Sequence, residues 1–105
     1  NRGGEKINAE EVELLLLRHP RVVAAAVVAM PDPRLGERTC AFVVAEGPFG
    51  LADAREHFAA LDVATFKWPE RVEQRDEIPR TQVGKTDKVR LHAEIAALVA
   101  SGARA

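Results

Sequence analysis

Lys85 is the residue whose neighbours best equip it for chemistry. It follows the stretch Pro79-Arg80-Thr81-Gln82-Val83-Gly84 and precedes Thr86-Asp87-Lys88. A lysine ammonium is a compact charge with three rotatable donors, and a preceding glycine allows a turn that brings it close to a phosphate or carboxylate. Where negative charge grows during a reaction, one such donor supplies a large electrostatic term. A bare Gly-Lys pair reads more simply as a solvated turn, so the residues around it must decide. A second signal lies in Asn1-Arg2-Gly3-Gly4-Glu5-Lys6-Ile7, where two adjacent glycines sit between charged residues just ahead of a capped helix.

Other chemistries fail on spacing. Gly84-Lys85-Thr86 matches the end of a phosphate-binding P-loop, but that pattern needs glycine where Pro79 stands. His19, His57 and His92 show no paired metal-ligand spacing, and Cys40 is the only sulfur ligand on offer, so no metal site is expected. His19 reads as a charged residue at a helix end, and His57 and His92 as helix-surface residues. Neither Ser101 nor Cys40 lies in a nucleophile motif.

The elements that must position Lys85 follow from periodicity and caps. Asn8 caps a first helix with Glu11 three residues on, Ile7 staples onto Val12, and Glu10 and Glu11 suit the positive end of the dipole. Val12, Leu15 and Leu16 mark its buried face, Arg18 and His19 suit its negative end, and Pro20 stops it. Val22 to Met30 is continuously apolar, as a strand covered on both faces would be, and Pro31 and Pro33 end it. Asp32 to Arg38, with Gly36, reads as a turn leading into an antiparallel strand, Thr39 to Ala45. Leu51, Ala54, Phe58 and Leu61 recur at helical spacing. Arg71 to Ile78 alternates, predicting a half-exposed strand with Val72 and Ile78 on one side and Arg71, Glu73 and Glu77 on the other. Thr86 or Asp87 caps a last helix with the stripe Leu91, Ile95, Leu98 and Val99, and Ser101 to Ala105 reads as a frayed tail. The sum is an α+β fold, a small and largely antiparallel sheet covered by helices.

Composition sets the frame. At 105 residues and 47% hydrophobic content the chain has room for one domain, spanning 1–105, and one core. Fifteen Lys plus Arg nearly balance sixteen Asp plus Glu, which leaves no footprint for nucleic acid or an anionic membrane. The single cysteine sits in an apolar run as a small buried hydrophobe, and a reducing cytoplasm is expected. No segment has a signal-peptide pattern, and the longest apolar run, Val22 to Pro31, is too short to span a bilayer. The chain begins at Asn1 inside a motif, as a fragment of something longer would.

Pro79, Thr81, Gly84, Lys85 and Lys88 form Pro-x-Thr-x-x-Gly-Lys-x-x-Lys, which resembles the last core motif of the adenylate-forming enzymes. That superfamily includes acyl-CoA synthetases, nonribosomal peptide adenylation domains and luciferases. Gly3-Gly4-Glu5-Lys6-Ile7, followed by Glu10-Glu11-Val12-Glu13, resembles the motif just past its interdomain hinge. Phe66-Lys67-Trp68-Pro69 resembles its aromatic-Lys-x-Pro step before the last strand. The resemblance covers essentially the whole chain. Asn1 to Ile7 together with Leu15 to Pro20 is most similar to the aryl-acid ligases, which make 2,3-dihydroxybenzoyl or salicyl adenylates for siderophores.

The resemblance implies the C-terminal lid of an acid-AMP ligase whose acid pocket lies in a large N-terminal domain. A carboxylate attacks the α-phosphate of Mg-ATP to give an acyl adenylate and pyrophosphate, and a thiol then displaces AMP. The lid rotates between the steps. By matching position Lys85 is the catalytic residue of adenylation, and Gly3, Gly4, Glu5 and Lys6 belong to the pantetheine path. Pro79, Thr81, Gly84, Lys88 and Lys67 support the motif. Lys6 and Lys67 are either structural or solvated, or they hold phosphate or a carrier-protein partner. The implied partners are the N-terminal adenylation domain and an aryl carrier protein or CoA, with ATP and Mg bound mainly by that N-terminal domain. Two alternatives stay open: the lid of an acyl-CoA synthetase, and a free-standing interaction module with no catalytic partner.

Overall fold

A computed structural model describes residues 8–32 and 36–102. Helix α1 (Ala9–Leu17) leads into strand β1 (Val22–Asp32), which turns back as β2 (Gly36–Ala45). Helix α2 (Leu51–Ala60) and a 3₁₀ turn (Thr65–Lys67) then carry the chain to β3 (Arg71–Gln74), and α3 (Lys88–Ala100) closes it. The sheet order is β1-β2-β3. β1 and β2 pair antiparallel along nearly their whole length, whereas the short β3 runs parallel to β2 after the α2 crossover. The sheet is therefore largely antiparallel and the fold α+β, as expected.

Side chains alternate between the two faces of the sheet. Val27, Ala41, Val43 and Val72 point to one face and pack with Val12 and Leu16 of α1 and Ala54 and Phe58 of α2. Ala26, Val28, Met30, Cys40 and Phe42 point to the other and receive Leu91 and Ile95 of α3. The parity of the apolar run thus divides it between two helical layers.

The helix ends follow local chemistry. Glu11 N–H donates to Asn8 Oδ1 at 3.2 Å, and Arg90 N–H donates to Asp87 Oδ1 at 3.1 Å, so Asp87 rather than Thr86 caps α3. The Glu11 carboxylate does not complete a capping box; it pairs with Lys67 Nζ at 2.8 Å. Ser101 is not frayed, since its Oγ donates to Leu98 O at 2.8 Å and its N–H to Ala97 O at 3.0 Å. Ile7, Pro33 and 103–105 lie outside the described residues.

The strands depart from expectation at their ends. Pro31 does not stop β1, which continues to Asp32, and β2 already begins at Gly36, so the connection is shorter than the predicted turn. β1 is an edge strand, and the Val27 N–H points away from β2. Pro31, four residues on, shares that orientation, so its missing N–H costs no ladder bond. β3 ends at Gln74 instead of Ile78. The Gln74 amide group turns back to the β2–α2 connection, accepting from Phe49 N–H at 2.9 Å and donating to Gly47 O at 2.8 Å. Val72 and Ile78 consequently lie against opposite layers, not on one side. The charged side of β3 is not solvated either. Arg71 is buried, and its Nε donates to Glu73 Oε2 at 2.8 Å.

Candidate functional site

The predicted motif residues form one closed turn. An isolated antiparallel bridge joins Arg80 to Thr86 at its base, where Asp87 N–H also donates to Pro79 O at 2.9 Å. Inside it, Thr81 N–H donates to Lys85 O at 2.7 Å and Gly84 N–H to Thr81 O at 2.9 Å. Lys85 N–H reaches Thr81 Oγ1 at 3.3 Å, and Arg80 Nη1 donates to Gly84 O at 3.0 Å. Gly84 has φ +86°, a left-handed backbone that a side chain would strain. The motif spacing thus has a local cause: Pro79 and Thr81 supply acceptors, and Gly84 supplies the bend.

Lys85 stands at the end of this turn, exposed, with its ammonium unpaired among the described residues. An open groove of about 560 Å³ borders the base of the turn at Pro79 and Arg80 and is lined also by Asp76, Glu77, Ile78 and Arg90 among others. A cation carried on a bonded turn yet open to solvent can be presented to a separate anionic group, and among the described residues it is not walled off from water.

The other motif lysines have different tasks. Lys88 opens α3 and pairs with Glu13 of α1 at 2.7 Å. Lys67 pairs with Glu11 at 2.8 Å, tying the 3₁₀ turn to α1. Gly3, Gly4, Glu5 and Lys6 lie outside the described residues. Among the described residues no group of three or more His, Cys, Asp or Glu is arranged to hold a metal ion. No helix among them is long and apolar enough to cross a membrane.

Two histidine readings change. His19 is half-buried, and its Nδ1 accepts from Arg21 N–H at 3.0 Å, which an imidazolium cannot do. Burial lowers its pKa, with the nearby His57 and Arg21 adding to the effect, so it is not the charged helix-end residue expected. His57 is half-buried on the side of α2 that faces α1. Its Nε2 donates to Leu15 O at 2.8 Å, and its ring meets that of His19 at 5.0 Å between centroids. Cys40 is the buried hydrophobe expected, its thiol pushed up to about 12, mainly by burial.

A family model for the AMP-binding enzyme C-terminal domain matches residues 11–85, most of the chain, and ends on Lys85. The chain belongs to this family. Enterobactin synthase component E of Escherichia coli (strain K12) is 49% identical over 96 residues, 91% of this AMP-binding C-terminal domain and 18% of the relative. A salicylyl-CoA synthase / salicylate adenylyltransferase of a Streptomyces species is 53% identical over 93 residues, 87% of the chain and 17% of the relative. Among solved structures, apo MbtA of Mycobacterium smegmatis superposes with TM-score 0.83 at 42% identity, covering 89% of the domain and 18% of that chain. The domain therefore spans less than a fifth of the length of the relatives it matches.

Proposed function

We propose that this domain is the mobile lid of an ATP-dependent aryl-acid adenylating ligase, and that Lys85 is its catalytic residue in adenylation. The observation that carries the reading is the Lys85 turn: a lysine whose backbone is fixed by a closed set of bonds, with its ammonium open to solvent and unpaired among the described residues. Such a donor gains effect only when a second surface brings substrate to it and excludes water. There the ammonium would lie against the carboxylate and the α-phosphate of ATP while charge builds in phosphoryl transfer. Mg, when bound, supplies further neutralisation of the phosphates.

In the second step a thiol displaces AMP, and the lid rotates to carry Lys85 away. Gly3 and Gly4 would then line the approach of the pantetheine arm, where side chains would narrow the path. The resemblance of Leu15 to Pro20 to the aryl-acid ligases favours an aryl carrier protein as acceptor. The name of the Streptomyces relative, which joins salicylate adenylation to CoA, favours CoA as the second reading.

The test is Lys85→Ala in the complete synthetase. Adenylation should fall roughly 100-fold or more, the scale of losing one preorganised donor at about 3 kcal/mol of barrier. Thioester formation from supplied acyl adenylate should suffer much less. Single-turnover measurement of each half-reaction, with a melting curve for folding, decides it. Undiminished adenylation in a folded variant overturns the assignment.

A further inference from the structure

We propose that Glu13 is a positioning residue for Lys85, acting through Lys88; the inference rests on the reading of Lys85 above. Glu13 Oε2 takes two short hydrogen bonds. Val27 N–H donates to it at 2.7 Å from the free edge of β1, and Lys88 Nζ at 2.7 Å from the start of α3. The Glu13 side chain is 17% exposed and that of Lys88 40%, so the carboxylate is largely sheltered where it grips the ammonium. Charge-assisted bonds of this length are strong and directional.

The sheet is the fixed reference. α1 packs on one face and α3 on the other, and the Glu13–Lys88 pair crosses the β1 edge between them. Elsewhere in the first turn of α3, Val89 and Arg90 are exposed, and the first buried anchor is Leu91. Lys88 therefore holds the end of the helix that Leu91 alone would leave free to swing. The Lys85 turn is joined rigidly to that end by the Asp87–Pro79 bond and the Arg80–Thr86 bridge. Any swing of the helix start moves Lys85 with it.

A half-exposed ion pair adds little to stability. A displacement of about 1 Å at a reacting group, by contrast, costs up to 100-fold in rate. The pair should therefore register in adenylation and not in melting.

The experiment uses the complete synthetase with Glu13→Gln, which keeps an acceptor for Val27 N–H, and Lys88→Met, which keeps the aliphatic stem. Each should lower adenylation about 10-fold while changing thioester formation from supplied adenylate less than about 2-fold, with melting unchanged. The double variant should be no worse than either single one. Lys88→Arg should restore most of the rate, and Glu13→Gln should add nothing in a Lys85→Ala background. Unchanged adenylation in Glu13→Gln, while Lys85→Ala is impaired, overturns this inference alone. Equal losses in both half-reactions with lowered melting also overturn it, as does a full additional loss on top of Lys85→Ala. Undiminished adenylation in Lys85→Ala removes the catalytic reading and this inference with it.

Discussion

The lone pair on His19 Nδ1 is used by the fold, and this makes the α1–β1 junction sensitive to acid. Its folded pKa lies below the ordinary 6.5, chiefly through burial, so below that value the unfolded chain takes up the proton first. Stability tied to neutral His19 is complete above about pH 6.5 and is lost as pH falls through the interval down to the folded value. Arg21 and His57 oppose the charge on His19, while Asp53 and Glu56 favour it. His19→Asn, which replaces Nδ1 with a non-titrating acceptor, should flatten the fall in unfolding midpoint between about pH 7.5 and 5.5. An identical slope in variant and parent would count against this. The burial of His19 and its contact with His57 were not legible in the sequence, because they arise only when α1 and α2 pack. The Lys85 turn was legible, since its bonds all run between Pro79 and Asp87. Glu13 was not, because its partners Val27 and Lys88 lie on other elements far along the chain.

Among the elements, those whose ends are set locally matched their predictions. Asn8 and Asp87 fix the starts of α1 and α3 through bonds to amides three residues on. The length of β3 was not local information; it depends on where β2 offers partners, the last being Val43 opposite Gln74, whose side chain then holds the loop at Phe49. The Arg80–Thr86 turn depends on Gly84 in the same local way. No atom lies within 4 Å of where a Cβ on Gly84 would stand, so substitution there costs conformation and not space. Gly84→Ala should therefore destabilise by about 1 kcal/mol, and Gly84→Asn by less, because asparagine tolerates the left-handed region. Chemical denaturation would rank the three. Equal stability of all three would show that the turn does not demand φ +86°. In adenylation the same order should appear, amplified by the displacement of Lys85.

Across the molecule, the alternation along β2 and along β1 beyond the irregularity at Val22 assigns odd positions to the α1 and α2 layer and even positions to the α3 layer. That pattern is present in the sequence, but its partners are not: the parallel placement of β3 follows from the α2 crossover. β1 is the longest strand and lies at an edge, and an unpaired edge is an invitation to another strand. Glu13 closes that invitation at Val27, mid-strand, by occupying an outward N–H with a carboxylate. A second molecule approaching β1 there would meet a used donor and the Glu13–Lys88 ion pair. Glu13→Ala should therefore increase concentration-dependent self-association, measured by sedimentation velocity, whereas Glu13→Gln should leave it near the parent level. Comparable sedimentation of all three proteins would rule this out. If Glu13→Ala does self-associate, a single carboxylate acts as a stopper on the open edge of the longest strand, keeping it from templating its own kind.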